Sequence, residues 1–127
     1  MKTYFLDTNV LLRFFLKDDL KHFKLAEKYL LKAREGRIKL IVIPEVVHEI
    51  EYVLRKVYGL KKDQMVGVLT TLLGTSYIKF ENKEIVIKTL SLFSVKSVDF
   101  ADAYLFAYAN SKKAKVLSFD QDFKKLV

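Results

Sequence analysis

The chain has 127 residues, 51% of them hydrophobic, with 4 Gly, 1 Pro, no Cys, and a formal charge of +8 from 23 Lys+Arg against 15 Asp+Glu. That length suits one domain with a sizeable core, and the spread of apolar residues excludes a disordered, collagenous or low-complexity protein. Without cysteine there is no disulfide framework, no thiolate metal site and no cysteine nucleophile.

In chain order, Thr3 to Leu6 reads as a short buried strand, and Val10 to Leu16 as a short apolar helix ending before Lys17-Asp18-Asp19. From Leu20 to Glu35, apolar residues at Phe23, Ala26, Leu30, Leu31 and Ala33 keep helical spacing, and Gly36 is a C-terminal stop. Ile38 to Ile43, rich in β-branched residues, predicts a strand. Pro44 suits the first turn of the next helix, where its missing N–H is not needed, and Gly59 ends that helix after Tyr58. A helix is predicted from Asp63 to Leu73, a strand from Tyr77 to Phe80, and an amphipathic helix from Lys83 to Phe93. Phe100 to Ala109 is a nearly all-apolar helix, Val116 to Ser118 a last short strand, and Phe123 to Leu126 at most one helical turn. Strands alternating with helices predict an α/β domain with a mainly parallel sheet, whose ligands lie beyond the carboxyl ends of its strands.

The start meets Asp7 after too short an apolar run for a secretory signal, and no stretch approaches the roughly 20 apolar residues of a membrane span. A soluble intracellular chain is the expectation. Lysine carries most of the basic surplus, beside only Arg13, Arg34, Arg37 and Arg55. A diffuse field of that kind suits attraction of a polyanion, and serves solubility equally well.

The acids are more informative. Asp7 directly follows the first strand, at the sheet's carboxyl edge, where a site role and a helix-capping role both account for it. Glu49 falls on the margin of the apolar face formed by Val46, Val47, Ile50, Val53, Leu54 and Val57, whereas Glu51 falls on the opposite, more polar side. Glu45 is sufficiently explained by the helix dipole. Asp102 is hardest to explain structurally, because its helix is apolar on nearly all sides and holds no basic residue within one turn. Asp99 shares its side, as a supporting acid or an N-cap. Asp120 and Asp122 follow the last predicted strand, Asp120 the better placed, and Ser118 is within reach of a neighbouring carboxylate or simply ends the strand.

Four acids from four segments at one sheet edge repel one another unless cations hold them. Hard oxygen ligands without Cys or a well-placed His select Mg²⁺ or Mn²⁺ over Zn²⁺. A basic chain enclosing an acidic metal site fits hydrolysis of a phosphodiester polyanion, with lysines on the flanking phosphates. His22 and His48 sit on polar stretches and are expected to face solvent, so they offer no evident acid/base pair. Asp7-Thr8-Asn9 lacks the second acid of aspartyl-phosphate phosphatases, and no glycine-rich phosphate loop, nucleophile elbow or dinucleotide fingerprint occurs.

Four stretches in order resemble the PIN-domain ribonucleases, specifically the VapC-type toxins of type II toxin–antitoxin pairs. They are Phe5-Leu6-Asp7-Thr8-Asn9-Val10-Leu11-Leu12-Arg13-Phe14 with Asp18-Asp19, Ile43-Pro44-Glu45-Val46-Val47-His48-Glu49-Ile50-Glu51-Tyr52-Val53-Leu54, Val98-Asp99-Phe100-Ala101-Asp102-Ala103, and Leu117-Ser118-Phe119-Asp120-Gln121-Asp122-Phe123. The resemblance spans essentially the whole chain and implies a single PIN domain over residues 1–127, a three-layer α/β/α sandwich around a mainly parallel sheet. It further implies a Mg²⁺-dependent endoribonuclease (Mn²⁺ being the other candidate), with Asp7, Glu49, Asp102 and Asp120 as catalytic acids. Asp7, Asp102 and Asp120 are the metal ligands so implied, with Asp122 as the rival fourth acid. Thr8 and Asn9 would orient the first acid or water, with Asp99 and Ser118 in support; Ser118 stands where a threonine is usual. VapC proteins are similar in being cytoplasmic, often homodimeric and neutralised by a VapB-type antitoxin. A non-cleaving RNA- or protein-binding PIN module, and a PIN nuclease of RNA processing, are the alternatives.

Overall fold

The computed structural model describes residues 1–126. Strand β1 (Thr3–Phe5) leads into helix α1 (Thr8–Leu16), α2 (Leu20–Arg34), β2 (Lys39–Val42), α3 (Pro44–Lys56) and α4 (Lys62–Leu73). Then come β3 (Lys79–Phe80), α5 (Lys83–Val95), α6 (Phe100–Ser111) and a 3₁₀ turn over Gln121–Lys125. The strands pair in the order β1-β2-β3, all parallel, with Phe5 opposite Ile41 and Ile41 opposite Lys79. The α/β architecture with a parallel sheet is therefore as the alternation of elements predicts.

Local sequence explains most of the boundaries. Asp19 caps α2, its side chain accepting from the His22 backbone N–H at 3.2 Å. Pro44 begins α3 at a position that needs no N–H donor. Gly36 and Gly59 follow α2 and α3 with φ of +76° and +64°, the left-handed region that glycine enters without a Cβ penalty. The end of α1 is tied to the chain beyond α3 through Asp18, which accepts from Arg13 at 2.9 Å and from the Tyr58 hydroxyl at 2.9 Å. Both partners favour the charged form and hold the Asp18 carboxyl below its ordinary range.

One continuous core joins the elements. Leu40 and Val42 of β2 pack with Leu11 of α1, Val47, Ile50 and Leu54 of α3, Leu69 and Leu72 of α4, and Val86 of α5, all nearly inaccessible. The core extends into α6 through Phe100 and Ala103. No helix among the described residues is long and apolar enough to cross a membrane.

Two sequence expectations are corrected here. Val116 to Ser118 does not form a strand: it pairs with no other strand, and Leu117 and Phe119 are 93% and 98% exposed. A short apolar run marks what fits a pleated surface but does not supply the neighbouring strand on which a ladder depends. As a consequence β1 is an edge strand rather than a buried one, and Phe5 is 62% exposed.

Candidate functional site

Asp102 lies in the first turn of α6 and is half-buried. Beyond α6 the chain returns so that Asp120 and Asp122 come beside it, with one ligand oxygen from each of the three carboxylates within 4.8 Å of the others. The returning segment is held by its own hydrogen bonds. The Asp120 backbone N–H donates to Ser118 Oγ at 2.9 Å, and Asp120 Oδ1 accepts from the Asp122 N–H at 2.9 Å, capping the 3₁₀ turn. Ser118 thus acts on the backbone of Asp120, and Asp122 also pairs with Lys125 at 3.2 Å.

Burial pushes the Asp102 carboxyl above its ordinary value, and the negative charges of Asp99, Asp120 and Asp122 push it further in the same direction. A carboxylate crowded by others in this way is a condition that a cation relieves. The donor set is all hard oxygen, which suits Mg²⁺ or Mn²⁺. Exposed Lys112, Lys113 and Lys115 precede the acidic segment, and exposed Lys124 and Lys125 follow within it or just after it.

Asp7 and Glu49 do not belong to this three-acid group. Asp7 is exposed at the N-cap of α1, and its side chain makes no capping hydrogen bond, so its carboxylate is not committed to the helix start. Asp99 stands likewise at the N-cap of α6, exposed and without a side-chain cap bond. Asn9, two residues after Asp7, is exposed on α1 and lines a small cavity against α2. Thr8 is 3% exposed, and its hydroxyl donates to Glu49 Oε2 at 3.1 Å, so it orients Glu49 across 41 positions of sequence.

Thr8→Val, which removes this hydroxyl and keeps the branched shape, is expected to cost about 1 kcal/mol. Urea denaturation reads the loss; an unchanged midpoint would show that the Thr8–Glu49 bond contributes nothing.

Two further residues are placed against expectation. Glu51 is buried, not on a polar face, and its Oε2 accepts from Arg55 Nε at 2.9 Å. His48 is half-buried rather than solvent-facing. Its ring meets Phe100 and Tyr104 edge-on, with centroids 5.2 and 4.5 Å away, and its Nε2 has no hydrogen-bond partner. Burial lowers its pKa, against smaller opposing effects of Glu51 and Glu45, so the neutral ring is favoured. The cause is common to both: α3 packs against α1, α4 and α6, so more than one of its faces is covered. His22, by contrast, is exposed as expected and pairs with Asp19 at 2.6 Å.

Between α3 and α6 lies a cavity of about 680 Å³ whose walls include Glu49, Glu51, Arg55, Asp99 and Tyr104. A second cavity, of about 360 Å³, shares Glu51, Arg55 and Asp99 with it and reaches Asp122. Neither cavity was visible in the sequence; a salt bridge spaced i,i+4 with a tyrosine between its members was the only available sign.

Residues 4–127 match the PIN domain family. A VapC ribonuclease of Aquifex aeolicus (strain VF5) is 30% identical over 122 residues, which cover 95% of this chain and 90% of that protein.

Proposed function

This chain belongs to the PIN-domain family, and on that premise we propose that it is a metal-dependent endoribonuclease, the toxin of a VapBC-type pair, formed by a single PIN domain over residues 1–127. The observation that carries this reading is the convergence of Asp102, Asp120 and Asp122 from two separate segments in a strongly basic chain. The similarity to a VapC ribonuclease supports the substrate class.

Asp102, Asp120 and Asp122 are the residues suited to hold Mg²⁺, or Mn²⁺ in its place, with Asp7 as a further ligand from the start of α1. When bound, the ion supplies charge neutralisation at the phosphate and a lower pKa for its water. Glu49, held by Thr8, orients the attacking water. Hydrolysis adds the water oxygen to phosphorus in line and breaks the P–O3′ bond, which leaves 5′-phosphate and 3′-hydroxyl ends. The flanking lysines hold neighbouring phosphates, so substrate binding weakens as salt rises.

The partners on this reading are RNA, a VapB-type antitoxin and a second copy of the chain, in the cytoplasm. The test is cleavage of RNA with Mg²⁺, with EDTA, and with EDTA followed by excess Mg²⁺. Loss and recovery of cleavage are expected; cleavage that persists in EDTA overturns metal dependence, and RNA binding without products under all three conditions favours a non-cleaving module. Growth arrest on expression, relieved by the product of a neighbouring small reading frame, is the expected result for the toxin assignment. Processing of specific precursors without arrest would instead indicate a nuclease of RNA maturation.

A further inference from the structure

Glu51 is 5% exposed, and a carboxylate at that depth requires a partner. Arg55, one helical turn on, supplies it through Nε at 2.9 Å. The Arg55 guanidinium also lies 5.7 Å from the centroid of the Tyr52 ring. These two contacts fix the guanidinium, yet the Arg55 side chain is 44% exposed. Among the described residues, Nε is the one guanidinium nitrogen that donates to protein, which leaves both terminal nitrogens free.

That free edge faces a particular setting. Arg55 lines both cavities, the larger one between α3 and α6 and the smaller one that reaches Asp122 of the acid cluster. In the larger cavity it stands beside His48, whose ring is favoured neutral, and among the carboxylates of Glu45, Glu49, Glu51 and Asp99. Glu51 offsets the charge of Arg55, so what this cavity offers a phosphate is the pair of free guanidinium nitrogens as hydrogen-bond donors. A planar fork held by a buried carboxylate is the arrangement that takes a phosphate through two parallel N–H donors. Beside it Tyr52, 53% exposed, and Tyr104 offer aromatic faces of the kind on which a nucleobase stacks. The volume of about 680 Å³ is in the range of sites that hold a small ligand.

We propose that Arg55, positioned by the buried carboxylate of Glu51, binds a phosphate of single-stranded RNA next to the acid cluster, and that the base of that nucleotide stacks in the α3–α6 cavity against Tyr52 and Tyr104. This rests on the ribonuclease reading and adds to it a nucleotide subsite beside the acid cluster.

The test uses the full chain and a labelled single-stranded RNA, with binding measured in EDTA across a range of salt and cleavage measured in Mg²⁺. Arg55→Ala is expected to weaken binding about tenfold or more, to reduce the salt slope by about one, and to raise KM more than it lowers kcat. Arg55→Lys restores the slope but only part of the affinity, because the charge returns without the fork. Since Arg55→Ala strands Glu51, the double variant Glu51→Leu with Arg55→Met removes the pair as a unit. It is expected to keep the wild-type circular dichroism and Mn²⁺ binding while binding RNA as weakly as Arg55→Ala. Wild-type affinity and slope in the folded double variant overturn the subsite, as does a loss of binding that accompanies a change in molecular mass by light scattering. EDTA-sensitive cleavage that is unchanged by Arg55→Ala defeats the subsite alone. RNA binding that depends on Arg55, without any cleavage in Mg²⁺, defeats the nuclease reading alone.

Discussion

Asp102→Asn is expected to lower RNA cleavage by roughly two orders of magnitude or more, because it removes the carboxylate that α6 contributes to the three-acid group. The same change is expected to stabilise the metal-free protein at neutral pH. The Asp102 carboxyl is held above its ordinary value by burial and by Asp99, Asp120 and Asp122. Between the unfolded value of 3.8 and that raised value, the folded chain binds more protons than the unfolded chain, so stability falls as pH rises through this window. Above the window the full penalty is present. Asparagine carries no charge and abolishes the penalty, and a divalent cation offsets it by neutralising the cluster. Thermal melts at acid and neutral pH, with and without Mg²⁺, therefore have a defined pattern: the wild type gains stability from Mg²⁺ at neutral pH and the variant gains much less. A variant that cleaves RNA at the wild-type rate would remove Asp102 from the site.

The largest effect on folding is expected from Leu54→Ala. Leu54 is fully buried in α3, at the centre of the core that joins α3 to the sheet and to α4. Truncation loses the transfer free energy of the side chain and leaves a cavity, at a cost of about 3 kcal/mol. Against a total stability of about 5–15 kcal/mol for a domain, this is a large fraction. Denaturant unfolding should show a lower midpoint with an unchanged slope. Because α3 also carries Glu49, Glu51 and Arg55, activity measured near the new melting temperature should fail before that of the wild type. A loss below about 1 kcal/mol would mean that the core around Leu54 is less tightly packed than the structure describes.

The residues that were legible beforehand share one property: their signal is local. Pro44 at the start of α3, and Gly36 and Gly59 beyond α2 and α3, act through backbone dihedrals that depend on the residue itself. The family likeness is legible for a similar reason, since an ordered set of short motifs needs no coordinates. The misplacement of Glu51 and His48 has the opposite origin. A helical wheel with one apolar face predicts a polar back, but α6 and α4 cover that back in three dimensions. Val116 to Ser118 has the composition of a strand, and a ladder also requires a partner edge.

Sequence alone was thus sufficient for the α/β class, the approximate limits of nine elements, the basic balance and the short set of acids worth considering, because each follows from periodicity, backbone preference or composition. Tertiary structure decided which of those acids meet. It brings Asp122 in beside Asp102 and Asp120, where the sequence left Asp120 and Asp122 as rivals, and it leaves Asp7 outside that group. It also joins Thr8 to Glu49 and buries Glu51 beneath Arg55. These are distances between residues up to 41 positions apart, and they are set by how the helices pack over the sheet, which no local pattern encodes.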